Sequence, residues 1–306
     1  MLPVADGSDY MGSLRNPAAF CNVWGFRPST GRVPKAGFVA QLGEVGPMGR
    51  SVADVALLLS VLAGPDPGHL MGRAEDPAAF AGPLGADVRG TRVAWVGDLG
   101  GRLATEPGIL ELGRAAAGVL ESLGCVVEEA LPDQDLDDLW ATALTWRHWN
   151  ALELEPLYAD PATRALLKPE IVWEIEGGLR LTALDVTRAL AARQRWLDVL
   201  AGFFACHDVV LAPSAQVFPF GVGTHWPAEI DGRPMDTYHR WMETVAPWSL
   251  AGTPVLGMPA GFDGRGLPTG VQLVGRPGAD LDVLRLGQAY EQATQWVRRV
   301  PPPAPS

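Results

Sequence analysis

The sequence predicts an α/β fold in which a mixed β-sheet is covered by helices. Three observations indicate this class: a β-α-β pattern over residues 92–128, a mostly helical stretch over 132–205, and two apolar runs joined by a turn at 263–266. A strand, a covering helix and a second strand form a parallel pair, whereas a short turn joins antiparallel strands. The sheet is therefore expected to contain both strand directions.

The β-α-β unit begins with a strand over 92–96 and a glycine-rich turn over 97–101. Apolar residues then recur at helical spacing from Ile109 to Leu123, and Gly124 is the expected C-cap of that helix. Residues 125–128 form the second strand. The two strands are expected to lie parallel, with the helix packed across them.

A second helix is predicted over 51–63. Ser51 and Asp54 form a capping box at its start, apolar residues follow at helical spacing, and Gly64 and Pro65 end it. By contrast, the first 35 residues are rich in Gly, Pro, Ser and Asn, which favours tightly turned loops over regular elements.

The C-terminal third alternates strands and helices. Strands are predicted over 208–212, 254–259 and 269–274, and a helix over 280–294 buries Val283, Leu286, Tyr290 and Ala293. In the preceding helical stretch, five tryptophans have a spacing more typical of a core than of a pocket, although a minority would line a substrate cavity: Trp140, Trp146, Trp149, Trp173 and Trp196. We expect one domain over 1–298, followed by a disordered Pro-rich tail over 299–306.

Composition excludes several classes of partner. The chain has 24 basic and 35 acidic residues, so its net charge of −11 repels nucleic-acid phosphates and anionic lipid. The longest apolar stretch, 52–63, is shorter than the roughly 20 residues that span a bilayer, and the first residues do not resemble a signal peptide. Three widely spaced cysteines, Cys21, Cys125 and Cys206, indicate reduced thiols. We expect a cytoplasmic protein that binds neither nucleic acid nor membranes.

Several common catalytic signatures are missing from the sequence. Its five histidines form no HExxH or HxxxH pair, and neither a GxGxxG motif after a strand nor a P-loop occurs. We therefore expect no metal and no organic cofactor. Gly49-Arg-Ser51-Val-Ala53 is a near match to a nucleophile elbow, but the N-cap role explains Ser51 better.

The remaining candidate is the glycine-rich run that surrounds Ser13. Its glycines allow consecutive backbone N–H groups to point into one space, as an oxyanion hole requires. Ser13 ends this turn, in a position suited to attack on a carbonyl. Small polar residues in such loops more often satisfy turns, so the residues alone leave both roles open.

This run resembles the amidase signature, in which a serine within a GSDxGGSIRxPA-like sequence attacks an amide carbonyl; Ser13 occupies that position. Further resemblance to the amidase-signature family extends over residues 4–296 in the family's order. It includes Gly46-Pro-Met-Gly-Arg-Ser-Val-Ala-Asp54, Leu250-Ala-Gly-Thr-Pro254 and Gly266-Leu-Pro-Thr-Gly-Val-Gln272.

The resemblance implies an amidase-signature fold and a Ser–Ser–Lys mechanism with an acyl-enzyme. It also implies that an oxyanion hole is formed by the backbone of Tyr10, Met11, Gly12 and Ser13. Asp9 and Arg15 are expected to brace the loop; the alternative is an exposed ion pair worth under ~1 kcal/mol. Burial of the two side chains distinguishes these roles.

The sequence departs from the family pattern in two ways. Met11 replaces a glycine, which is compatible with the loop only if its φ angle is ordinary. The bridging serine and the lysine precede the nucleophile by more residues than the 12 present here, so both are expected to be absent along with the N-terminal part of the fold. Lys35 and Lys168 are the only lysines, and neither has a family-like context.

The resemblance predicts hydrolysis of a small-molecule amide, with little activity from residues 1–306 alone. A separate N-terminal polypeptide or a homo-oligomer is the expected partner. Two alternatives stay open: a non-catalytic remnant or subunit that binds an amide ligand or partner chain, and an unrelated hydrolase that uses Ser51. The tryptophans over 140–248 favour an apolar or aromatic substrate group.

Overall fold

The computed structural model describes residues 2–34, 42–69 and 71–299, and the mixed α/β class predicted from the sequence is confirmed. Lys35 and most of the predicted tail, 300–306, lie outside the described residues.

The structure contains ten strands within the described residues. They are β1 (Val4–Asp9), β2 (Trp24–Arg27), β3 (Glu44–Gly49), β4 (Arg92–Trp95), β5 (Val126–Glu129), β6 (Val209–Pro213), β7 (Glu229–Ile230), β8 (Arg233–Pro234), β9 (Val255–Phe262) and β10 (Pro268–Gly275).

The α-helices vary from one turn to nearly seven turns in length. They are α1 (Arg15–Cys21), α2 (Val52–Leu62), α3 (Ile109–Ser122), α4 (Leu136–Ala151), α5 (Glu155–Ala159), α6 (Pro161–Arg164), α7 (Pro169–Arg180), α8 (Ala183–Cys206), α9 (Ala246–Ala251) and α10 (Asp280–Thr294). Within the described ranges, every helix is too short or too polar to cross a lipid bilayer.

Eight of the described strands form one sheet, in the order β1-β3-β2-β9-β10-β6-β4-β5. β4 pairs in parallel with β5 and β6, whereas the pairs from β1 to β6 along the sheet are antiparallel. The predicted turn at 263–266 joins β9 to β10. The pairing therefore changes from antiparallel to parallel at β6, as expected from a β-α-β unit next to a hairpin.

Alternate residues of the strands face two hydrophobic cores. Val93 and Leu273 point into the core beneath α2, α3 and α10, while Ala94 and Val274 point into the core that α4, α8 and α9 cover. This period of two is a property of the extended backbone. The sheet is thus the middle of three layers.

The helix predicted over 51–63 is confirmed. Ser51 adopts an extended N-cap conformation, and its hydroxyl accepts a hydrogen bond of 3.1 Å from the backbone N–H of Asp54. The apolar face that contains Val55 and Leu59 is fully buried. Local capping and periodicity were sufficient to locate this element.

Three local predictions were wrong. The first 35 residues contain β1, α1 and β2, because sheet pairing and burial stabilise elements too short to show a hydrophobic period. The C-cap of α3 is Leu123; Gly124 follows it with a φ of +89°. Ala293 is exposed on α10, while Val283, Leu286 and Tyr290 are buried as predicted.

Most of the five tryptophans lie in the core, as the sequence predicted. Trp140, Trp146 and Trp196 lie in the core under α4 and α8, and Trp149 packs against it partly buried. Trp173 on α7 keeps 36% of its surface exposed. Most of this aromatic surface is therefore structural, and Trp173 is the member left available to a ligand.

Candidate active site

The glycine-rich loop lies between β1 and α1, at one edge of the sheet. Gly12 has a φ of +103°, a conformation that side-chain-bearing residues rarely adopt. A Cβ atom at this position would lie 2.2 Å from Oδ1 of Asn16 and 2.9 Å from Cγ2 of Val245. Both backbone geometry and space therefore require glycine at the turn.

Asp9 and Arg15 hold this turn together from inside the protein. Arg15 donates from Nε to Asp9 Oδ2 and from Nη2 to Asp9 Oδ1, each at 2.9 Å. The same carboxylate accepts the backbone N–H of Gly12 at 2.7 Å and that of Leu14 at 3.2 Å. Both charged side chains are 0% exposed, so the alternative of an exposed ion pair is wrong.

Electrostatics favour the ionised form of Asp9. Burial alone would raise the pKa of its carboxyl, but the charges of Arg15 and Arg27 and the hydrogen bonds it accepts hold that pKa well below its usual range. Arg27 is also fully buried, and it donates to the backbone oxygens of Asp9 and Leu42. The loop is thus anchored by one carboxylate and two guanidinium groups.

Arg15 extends this network to the distant C-terminal elements. Its Nη1 donates to Gln272 Oε1 on β10 at 2.9 Å, and its Nη2 donates to Ser249 Oγ on α9 at 2.7 Å. Gln272 in turn donates to the backbone oxygens of Pro213 and Thr244. No role was predicted from the sequence for Arg27, Ser249 or Gln272. Of the three, Gln272 lies in a stretch whose sequence resembles the family.

Ser13 faces outward, directly before α1. Its side chain is exposed, and its hydroxyl has no hydrogen-bond partner within the described part of the chain. The backbone N–H of Gly12 is engaged by Asp9, whereas those of Tyr10, Met11 and Ser13 have no acceptor among the described residues. Met11 has no positive φ, so it satisfies the condition for replacing glycine. One short turn therefore presents three amides and a hydroxyl that are free of partners in the described ranges.

Tyr10 connects this turn to the helices beside it. Its hydroxyl donates to the backbone oxygen of Trp146 at 2.9 Å, and the Arg147 guanidinium lies 5.4 Å from its ring centroid. Arg147 pairs with the buried Glu174 at 2.7 Å, and Glu174 accepts from His239 Nε2 at 2.7 Å. Burial raises the pKa of Tyr10 and lowers that of His239.

Aromatic side chains cluster around Trp173 on α7 and around Phe20 on α1, the helix that follows Ser13. Trp173 lies between two imidazole rings, with ring centroids 4.4 Å from His148 and 5.7 Å from His239. On the side of α1, Phe20 stacks on Trp241 with a centroid separation of 6.3 Å.

The described lysine lies outside this arrangement. Lys168 is exposed at the N-terminus of α7, and its side chain makes no hydrogen bond or ion pair with any other described residue. The hydroxyl of Ser51 caps α2, as stated above. Among the described residues, neither side chain has a contact that would make it a base or a nucleophile for the Ser13 loop.

A sequence profile of the amidase family matches residues 1–284. An acylamidase of Rhodococcus erythropolis is 31% identical over 98% of this chain and 63% of its own length. A glutamyl-tRNA(Gln) amidotransferase subunit of Thermus thermophilus is 34% identical over 96% of this chain and 65% of its own length. The chain therefore spans less than two thirds of the length of these relatives.

Solved structures agree with the sequence relatives. A bacterial aryl acylamidase of the amidase-signature family superposes with a TM-score of 0.86 at 26% identity, over 96% of this chain and 63% of that one. A 6-aminohexanoate cyclic dimer hydrolase superposes with a TM-score of 0.82 at 25% identity, over 98% and 66%. The resemblance noted in the sequence is confirmed: the chain belongs to the amidase family, whose members hydrolyse amide bonds.

Proposed function

We propose that Ser13 is the nucleophile of a serine amidase and forms an acyl-enzyme with a small-molecule amide. In this mechanism the Ser13 oxygen attacks the amide carbonyl, the amine leaves with a proton, and water then hydrolyses the ester. The observation that carries the proposal is the exposed Ser13 at the end of a turn whose two flanking charged residues, Asp9 and Arg15, are completely buried.

The oxyanion would bind to the backbone of the same turn. Tyr10, Met11 and Ser13 supply N–H groups without acceptors among the described residues, and Gly12 supplies the φ that turns them. Donors held rigid before the reaction stabilise developing charge without reorganising. The network of Asp9 and Arg15 provides that rigidity.

The residues of the turn do not supply a base that would accept the proton of the Ser13 hydroxyl. A serine hydroxyl stays protonated near neutral pH, and a general base contributes about 10²- to 10⁴-fold to the rate. The two lysines of the sequence are the exposed Lys168 and Lys35, which lies outside the described residues. We propose that the family's lysine and bridging serine come from outside residues 1–306, as a further segment or a second polypeptide.

The substrate proposed is an amide with an aromatic or apolar group. Trp173 is one-third exposed on α7, the helix that also carries Glu174, the partner of Arg147 beside Tyr10, and Phe20 lies on the helix that follows Ser13. A solved relative is named as an aryl acylamidase. Aryl amides are therefore the first substrates to assay.

A second candidate function is a non-catalytic subunit that binds an amide ligand or a partner chain. The exposed Ser13, with no base in contact among the described residues, favours it. Several relatives are named as subunits of an amidotransferase. In that case the catalytic residues would belong to the partner chain, or no amide would be hydrolysed.

One experiment distinguishes the two functions. A panel of aryl and alkyl amides is assayed with residues 1–306 alone, and again after addition of the N-terminal fragment of a close relative. We expect negligible turnover alone and turnover that depends on Ser13 after addition. Robust Ser13-dependent turnover by the chain alone would show that another base acts; no turnover under either condition would favour the binding subunit.

A further inference from the structure

A cavity of about 710 Å³ lies between the second half of α8 and the N-terminus of α10. Cavities of 300–1,000 Å³ are typical of small-molecule sites. It lies apart from the Ser13 loop, because none of residues 9–15 lines it. The residues that line it include Leu197, Leu200, Ala201, Phe204, Thr253, Arg276 and Asp282.

One wall of the cavity is apolar. Leu197, Leu200 and Phe204 share one face of α8, because residues separated by three, four and seven positions lie above one another on a helix. Leu200 and Phe204 are buried, and Leu197 packs against the same core partly exposed. This wall provides a surface suited to a hydrocarbon chain.

Thr253 provides a buried polar atom in the lining. Its side chain is 0% exposed, and its Oγ1 has no hydrogen-bond partner among the described residues. A buried hydroxyl without a partner is unfavourable, because it has lost its hydrogen bonds to water and has formed none within the protein. A ligand with a hydrogen-bonding head group would supply the missing partner.

Among the described residues, the rim carries one cation, Arg276, and one exposed carboxylate, Asp282, whose charge is offset by Arg285. Arg276 is exposed, and its guanidinium has no hydrogen bond or ion pair within the described ranges. The N-cap of α10, Ala279, has no side chain that could satisfy the first amides of the helix. Of the two acidic residues at the start of α10, Asp280 is bound to Ser29 and Arg32, and Asp282 lies 3.8 Å from Arg285.

We propose that this cavity is a second binding site and that it takes a monocarboxylate with an apolar chain. The chain packs against Leu197, Leu200 and Phe204, and the carboxylate lies between Arg276 and the start of α10. The Thr253 hydroxyl donates to the ligand. The proposal does not depend on the chemistry of Ser13.

The test measures binding of octanoate to residues 1–306 by titration calorimetry, with 1-octanol and acetate as probes of the chain and the head group alone. We expect saturable one-to-one binding of octanoate, and affinities at least about tenfold weaker for the other two. Arg276→Gln should weaken octanoate binding about tenfold, whereas Arg180→Gln, at an exposed arginine of α7, should not change it.

Two further variants locate the site without disturbing the core. Ala201 is exposed and lines the cavity, so Ala201→Trp should fill it and abolish binding, whereas Leu190→Trp on the exposed face of the same helix should not.

Thr253→Val should weaken binding about threefold to tenfold without lowering the melting temperature. The control is Thr269→Val, at another buried hydroxyl without a described partner, which should leave binding unchanged. Absent binding, or octanoate affinity insensitive to Ala201→Trp or Arg276→Gln, would overturn the proposal.

Discussion

The side chains of Asp9 and Arg15 lie wholly inside the protein, joined by two parallel hydrogen bonds of 2.9 Å. Planar groups in this arrangement are held in position and in orientation. Because Asp9 ends β1 and Arg15 begins α1, the pair closes the turn that presents Ser13. The loop is therefore part of the folded core although its serine is exposed.

Asp9→Asn should lower the free energy of unfolding by about 3–5 kcal/mol, because it leaves the charge of Arg15 buried without its carboxylate. Urea unfolding followed by tryptophan fluorescence measures this change. Asp87→Asn is the matched control, since Asp87 and its partner Arg89 are exposed and the urea midpoint should stay near that of the wild type. Equal effects of the two variants would contradict the bracing role.

The contribution of Asp9 should also depend on pH. Its pKa is depressed in the folded protein, so its stabilisation is fully present above the unfolded value of about 3.9 and is lost as the pH falls toward the folded value. The difference in unfolding free energy between wild type and Asp9→Asn should therefore be constant from pH 7 to about pH 5 and shrink below about pH 4. A difference that stays constant down to about pH 2.5 would show that Asp9 is not the titrating group.

Ser13→Ala should remove labelling by a fluorophosphonate in the complemented enzyme. The reagent forms a covalent bond with an activated serine, and the exposed Ser13 is the proposed nucleophile. Ser51→Ala should retain labelling, since the Ser51 hydroxyl caps α2. Mass spectrometry of the labelled peptide identifies the residue; labelling that survives Ser13→Ala would rule out the assignment.

Ser51→Ala should lower stability by about 0.5–2 kcal/mol, because the N–H of Asp54 loses its capping acceptor. Ser60→Ala is the control on the same helix; its hydroxyl only donates back to the oxygen of Leu57, and alanine has a higher helix propensity. Thermal melts of both variants make the comparison. A Ser51→Ala protein as stable as the Ser60→Ala protein would argue against the capping interaction.

The free edge of β1 should make the isolated chain self-associate or bind a hydrophobic dye. Among the described strands β1 pairs only with β3, so one side of its backbone has no strand beside it. Ala5 is exposed on this strand, and Ala5→Lys should reduce association measured by sedimentation velocity. Ala162→Lys, at an exposed site on α6, adds the same charge elsewhere and should not. A monomeric wild type without dye binding would show that this edge is adapted to solvent.

Features controlled by nearby residues could be predicted from the sequence. The Ser51 cap, the β-α-β unit and the β9–β10 hairpin all depend on contacts between residues close in the chain. The short elements β1, α1 and β2 could not be recognised in this way. They are stabilised by distant partners: β2 pairs with β9, and the fully buried side chain of Arg15 on α1 contacts α9 and β10.

The sequence by itself indicated the fold class and the family and marked Ser13 as the candidate nucleophile, because the motif residues around that serine are contiguous. Only the tertiary structure decided that Asp9 and Arg15 are buried. Their burial requires contacts such as the hydrogen bond between Arg15 and Gln272, which are 257 residues apart in the sequence. It also brought Thr253 and Arg276 to one cavity. Burial and long-range pairing arise when the whole chain closes around its sheet, so no local pattern of residues encodes them.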